Sequence, residues 1–147
     1  MPVTIIRPFN IYGPGQDRRF LIPTILAQAI DPHTAAIVVA DLRPRRDYIF
    51  IGDLIDLLMS TAFRREGGTF NAGSGSSWGV DEVVAIVNQL LPLPKPVQSG
   101  DQIRLEEVFN VIADISCARR EFGWEPRVTF RDGLRETLAW NRGAGVG

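Results

Sequence analysis

Val3-Thr4-Ile5-Ile6-Arg7-Pro8-Phe9-Asn10-Ile11-Tyr12-Gly13-Pro14-Gly15-Gln16 passes from an apolar, β-branched run into a turn punctuated by proline and glycine. That order is the pattern of a buried parallel strand whose carboxyl end opens into a binding crevice. On strand and turn signals alone, a plain core strand followed by a loop would read the same. A site belongs at that end.

Working outward, Thr24 to Ile30 has helical spacing with Thr24 near its start, and Asp31-Pro32-His33 stops it because proline cannot continue a helix. Ala35 to Ala40 reads as a strand, Asp41 to Arg45 as a turn, and Arg46 to Ile51 as a second strand. A hairpin-like pair is the economical expectation. Asp53 is the expected N-cap of a helix over Leu54 to Arg65, ended by Gly67-Gly68. Thr69 to Asn71 predicts a short strand running into a glycine loop, and Val80 to Leu91 a helix. Pro92 to Pro96 is a stiff connection, Gln98 to Gln102 a polar loop and Glu107 to Ala113 extended. Helices are expected over Asp114 to Phe122 and Leu134 to Arg142. Residues 1–142 therefore form one α/β unit, and 143–147 are expected to be a disordered tail. Parallel strands need cover on both faces, and few other strands remain to flank them.

The 147 residues carry a net charge of −1 and are 45% hydrophobic. That balance supports a core and argues against nucleic acid or an anionic membrane as partner. No apolar run reaches the roughly 18 residues of a membrane span and no leader pattern stands out, so cytoplasmic is the expectation. One cysteine, Cys117, and one histidine, His33, provide neither an internal disulfide nor a Cys/His metal cluster.

Three constellations carry chemistry. Gly73-x-Gly75-x-x-x-Gly79 between a strand and a helix imitates a dinucleotide fingerprint. The second strand with its acidic end that such a site needs is replaced by the proline-rich connection, so a crevice-shaping turn is the better reading, with Asn71 offering an amide donor and acceptor. Arg43, Arg45 and Arg46 could clamp a diphosphate, or form a solvated basic turn balanced by Asp41 and Asp47. Arg104-Leu105-Glu106-Glu107 alone reads as a surface salt bridge. No catalytic set emerges: Tyr12 and Tyr48 have Gln16 and Gly52 four places on, so there is no Tyr-x-x-x-Lys pair.

Taken together, Arg7-Pro8-Phe9-Asn10-Ile11-Tyr12-Gly13-Pro14, Arg46-Asp47-Tyr48-Ile49-Phe50-Ile51-Gly52-Asp53, Phe70-Asn71-Ala72-Gly73-Ser74-Gly75, Ala113-Asp114-Ile115-Ser116 and Phe122-Gly123-Trp124-Glu125-Pro126 occur in order. This series resembles the NAD-dependent epimerases and dehydratases of the extended short-chain dehydrogenase/reductase family, which act on nucleotide sugars. The resemblance runs from Val3 to Trp140. It implies an α/β fold made of the last parallel strands of a Rossmann-type sheet plus the small substrate domain, with the N-terminal Rossmann part absent. Departures from the family pattern include Ala40 and Leu42 for glycines, Pro44 for a polar residue, Gly52 for aspartate, Leu105-Glu106 for Pro-Gly and Cys117 for lysine.

By that resemblance Asn10, Arg46 and Arg104 would contact the nucleotide diphosphate and Glu107 the ribose. The residues after Phe20, and the strand near Ile37 to Val39, would pack around the base, and Asn71 would border the substrate. The backbone at Pro8, Phe9 and Ile11 would border the nicotinamide of NAD(P) in the parent enzyme. The expected ligand is a nucleotide diphosphate sugar, with no cofactor held by this chain alone and no catalysis without the missing groups. The chain is then expected to be a truncated or split product, partnered by a second copy or by a separate N-terminal Rossmann chain. A non-catalytic, self-associating assembly module is the alternative, and an unrelated enzyme using the Gly73 loop for a cofactor a third.

Overall fold

The computed structural model describes residues 2–62, 67–100 and 108–144. Its strands join in pairs across long stretches of chain. β1 (Thr4–Pro8) pairs in parallel with β6 (Gly68–Ala72), β2 (Asn10–Tyr12) with β5 (Tyr48–Phe50), and β3 (Ile37–Val39) with β8 (Val97–Ser99). β4 (Arg45–Arg46) pairs antiparallel with β7 (Trp78–Gly79). The helices are α1 (Leu21–Ile30), α2 (Ile51–Ala62), α3 (Val80–Leu90), α4 (Ser116–Phe122) and α5 (Phe130–Ala144). The mixed α/β architecture follows the expectation, and no described helix is long and apolar enough to cross a membrane.

Two apolar clusters hold the elements. One gathers Ile25 and Leu26 of α1, Val83 and Val87 of α3, and Leu134 of α5 around Tyr12, Tyr48 and Phe130. The phenyl ring of Phe130 stacks on Tyr48 at 5.5 Å and on Trp78 at 4.9 Å, and meets Tyr12 edge-on. The other joins Leu54 and Leu57 of α2 to Phe70, Ala118 and Trp124.

Several local expectations are corrected. The hairpin between Ala35–Ala40 and Arg46–Ile51 does not form, because β3 and β5 each take a distant parallel neighbour in β8 and β2. β8 lies in the stretch expected to be a polar loop; a ladder uses backbone groups, so local polarity did not reveal it. α1 starts at Leu21, since proline is tolerated in a first turn, and the Thr24 hydroxyl donates to Phe20 O at 2.7 Å from inside the helix. α5 starts at Phe130, four residues early, because the Thr129 hydroxyl and Asp132 cap it at 2.6 Å and 3.2 Å. It also continues through Ala144, past the expected boundary at residue 142. Finally, β1 is parallel but not buried: Ile5, Arg7 and Pro8 are exposed, with β6 as its one partner strand among the described residues.

Asp53 is not an N-cap. It lies in the first turn of α2, 2% exposed, and its two carboxylate oxygens accept the backbone N–H groups of Arg127 and Val128 at 3.0 Å and 3.1 Å. Its carbonyl accepts the Trp124 indole N–H at 3.0 Å. One residue thus pins the Gly123-to-Pro126 turn to the head of α2.

Candidate functional site

Past the carboxyl end of β1 the chain runs through β2 and the Gly13-Pro14-Gly15 turn, forming one wall of a cleft of about 780 Å³. The head of α1, the turn after β3 and the strands β4 and β5 provide the other walls. This is where ligands bind in open α/β folds, and the size suits a small organic ligand.

Five of the residues marked in the sequence meet here: Phe9, Asn10, Ile11, Phe20 and Arg46. Asn10 is held by two bonds to a single carbonyl, its backbone N–H and its Nδ2 both donating to Asp47 O at 3.1 Å and 3.0 Å. Phe20, 56% exposed, stands at the entrance to α1 and offers an open aromatic face. Arg46 reaches the cleft from β4, its Nη1 donating to the carbonyls of Arg45 and Val108 at 2.8 Å and 2.6 Å. Those bonds pin a guanidinium whose fork matches an oxyanion.

The other arginines of the turn behave differently. Arg43 closes a two-bond pair on Asp41, with both distances at 2.8 Å, and this pairing holds the Asp41 carboxyl below the usual carboxylate range. Arg45 pairs with Glu82 at 2.8 Å and donates to Ser77 O at 2.9 Å, fastening β4 to the head of α3. Arg43 and Arg45 thus each pair with a carboxylate, and Arg46 lines the cleft. Asp47 does not balance this turn as expected. It is fully buried, and its carboxylate accepts Ser74 N at 2.6 Å, Ser74 Oγ at 2.8 Å, Gly75 N at 2.9 Å and Ala113 N at 3.0 Å.

That network decides what the Gly73 loop does. The amides that would cradle a cofactor's pyrophosphate are already holding an internal carboxylate, and a Cβ at Gly73 would collide with Ala113 Cβ. The loop is a clamp.

Of the other marked residues, Pro8 ends β1 in register with Ala72, outside the cleft lining. Asn71 on β6 donates its side-chain N–H to Asp114 O at 3.0 Å and stands off the cleft. Arg104 and Glu107 lie outside the described residues. Ile37 and Val39 are buried in the core, so the contribution of β3 to the cleft falls to the following Ala40 and Asp41. Sequence reasoning missed Gln16 as a cleft residue. Its Nε2 donates to Ile11 O at 2.7 Å, bracing the turn, and its Oε1 is buried with no hydrogen-bond partner among the described residues. The polar residue closing a Pro-Gly turn was the available signal.

Neither tyrosine is poised as a base. Burial pushes the Tyr48 phenol up to about 12 and the Tyr12 phenol higher still, with Asp53 adding to the latter. Among the described residues no three His, Cys, Asp or Glu side chains gather to hold a metal.

Residues 1–137 match the family described as GDP-mannose 4,6 dehydratase. The chain belongs to that family. The dTDP-glucose 4,6-dehydratase of Xanthomonas campestris pv. campestris is 28% identical over 150 residues, covering 95% of this chain and 42% of that protein. The dTDP-4-dehydro-6-deoxyglucose reductase of Escherichia coli is 31% identical over 138 residues, covering 90% and 43%. Among solved structures, MoeE5 in complex with UDP-glucose and NAD superposes with a TM-score of 0.87 at 28% identity, over 97% of this chain and 48% of that one. This member of the GDP-mannose 4,6 dehydratase family thus spans less than half the length of these relatives. Its fold is part of an extended short-chain dehydrogenase, and the family resemblance drawn from the sequence is correct.

Proposed function

We propose that the chain is the nucleotide-sugar-binding portion of an NAD-dependent sugar epimerase or dehydratase, without catalytic activity of its own. The observation that carries this reading is the convergence of Arg46, Asn10 and the exposed Phe20 ring on one cleft at the carboxyl end of parallel strands. A diphosphate takes a pinned guanidinium and an amide; a pyrimidine or purine takes the aromatic face. MoeE5, which binds UDP-glucose, supports the same ligand class. Arg104 and Glu107 are proposed to complete the diphosphate and ribose contacts.

For NAD the fit is partial. Phe9 and Ile11 present apolar surface suited to a nicotinamide face, and with Pro8 they would border that end of the cofactor. The Gly73 loop amides are committed to Asp47, so the described residues hold no cradle for the pyrophosphate. When bound, NAD would accept the sugar's hydride; this chain's share is to hold the diphosphate with Arg46 and orient the sugar beside Phe9 and Ile11.

Isothermal titration of the purified chain with UDP-, dTDP- and GDP-sugars, and separately with NAD, tests the proposal. Binding of one nucleotide sugar, weakened by Arg46→Ala and Arg104→Ala, with no binding of NAD, is expected. NAD binding without nucleotide-sugar binding would overturn it.

A further inference from the structure

Tyr48 is 6% exposed and is braced on both flanks, its ring stacked on Phe130 at 5.5 Å and edge-on to Tyr12 at 6.4 Å. The neighbouring phenol of Tyr12 donates to Phe130 O at 3.4 Å. The Tyr48 hydroxyl has no such partner among the described residues. It is not sealed away either, because Gln16 Oε1 is the side-chain polar atom there that is both buried and unpartnered. A buried tyrosine ordinarily finds a partner for its O–H. One whose ring is fixed and whose oxygen still opens on free space is a donor left for solvent or a ligand.

The strands decide which space that is. β5 runs beside β2 with Tyr48 opposite Asn10, and Arg46 lies two residues before Tyr48. Side chains two apart on a strand, and partners opposite each other in register, fall on one face. Asn10, Arg46 and Tyr48 therefore share the face that lines the cleft, while Ile11 and Ile49 pack into the other core cluster. A smaller cavity of about 270 Å³, bounded by Asp53 and Trp78, also touches the Tyr48 ring. The Asp53 charge bears on the Tyr12 phenol, whereas the charge that bears on Tyr48 is that of Arg46. The hydroxyl is thus on the Arg46 side.

We propose that the Tyr48 hydroxyl donates to the same diphosphate that Arg46 holds, a second and uncharged ligand on one oxyanion. Burial suits the part. It keeps the phenol protonated up to about 12, so the group stays a donor and brings no negative charge beside a phosphate. A sugar hydroxyl also accepts such a bond, but the guanidinium on the same face favours an anion. This inference rests on the nucleotide-sugar reading and adds a residue to its site.

Tyr48→Phe tests the inference, because it keeps the ring and its stacking and removes one oxygen. Calorimetry of the purified chain with UDP-glucose and with UDP is expected to show affinity about tenfold lower for both, the scale of a bond to a charged acceptor, at an unchanged thermal midpoint. Equal affinities in parent and variant would overturn the inference while leaving the nucleotide-sugar reading in place. So would a loss confined to UDP-glucose, which assigns the hydroxyl to the sugar, or a loss that tracks a lowered thermal midpoint, which makes it an effect of packing. A parent chain that binds neither compound would overturn the reading and the inference together.

Discussion

The Asp47 carboxylate accepts the Ser74 amide at 2.6 Å in a site with no solvent exposure, directly after the arginine that faces the cleft. One aspartate thus sets two things: the closed shape of the Gly73 loop, and through its backbone carbonyl the position of Asn10. Asp47→Asn keeps the size but loses the charge and offers donors to amides that need acceptors. A loss of about 2–3 kcal/mol is expected, since bonds to a charged acceptor contribute that order and unpaired buried groups cost as much. Urea unfolding measures it, and an unchanged midpoint would contradict the role.

Asp53→Ala removes the acceptor for the Arg127 and Val128 amides while leaving its carbonyl on Trp124. The variant is expected to lose about 2 kcal/mol. Tryptophan emission should shift to the red before global unfolding as the Gly123-to-Pro126 turn loosens. Coincident transitions identical to the parent's would exclude a latch here.

At Gly133, in the first turns of α5, an added Cβ would strike the Tyr12 hydroxyl oxygen and approach Phe50 at 3.0 Å. Gly133→Ala would ordinarily favour a helix. Here it should cost about 1–3 kcal/mol, because Tyr12 is fixed among Phe50, Tyr48 and Phe130 and cannot withdraw. A stabilised variant in thermal melts would show that the aromatic cluster yields.

Alkaline stability follows from the phenols. Tyr48 is held protonated up to about 12 by burial, above its ordinary 10.0. A group whose folded pKa is raised contributes stability fully below its unfolded value and loses it as pH rises through the folded one. Stability should therefore fall between about pH 10 and pH 12, Tyr12 adding in the same direction. Phenolate absorbance should appear together with the loss of circular dichroism. Ionisation in a still-folded chain would contradict the burial.

The sequence made the cleft legible through Asn10, Phe20 and Arg46 because a strand-to-turn motif is local and its residues stay near one another. It also revealed α3 and α4 through spacing and stop signals. What it hid was non-local. The partners of β3 and β5 lie 60 and 38 residues away in register, Ile37 on Val97 and Asn10 on Tyr48, and adjacency in the chain favoured a hairpin instead. Asp47 looked like a solvated counter-charge and Asp53 like a helix cap because their amide partners come from residues 74–75, 113 and 127–128. A buried carboxylate fed by distant backbone amides leaves no periodic trace.

The most direct test of the nucleotide-sugar cleft is a titration of the isotopically labelled chain with UDP-glucose, followed by amide chemical shifts. The predicted result is movement at Asn10, Phe20, Arg46 and Tyr48, with affinity falling about 10–100-fold in Arg46→Ala, the scale of a charge-assisted bond. Shifts confined to Ser74 and Gly75, or an Arg46→Ala variant that binds as tightly as the parent, would contradict it.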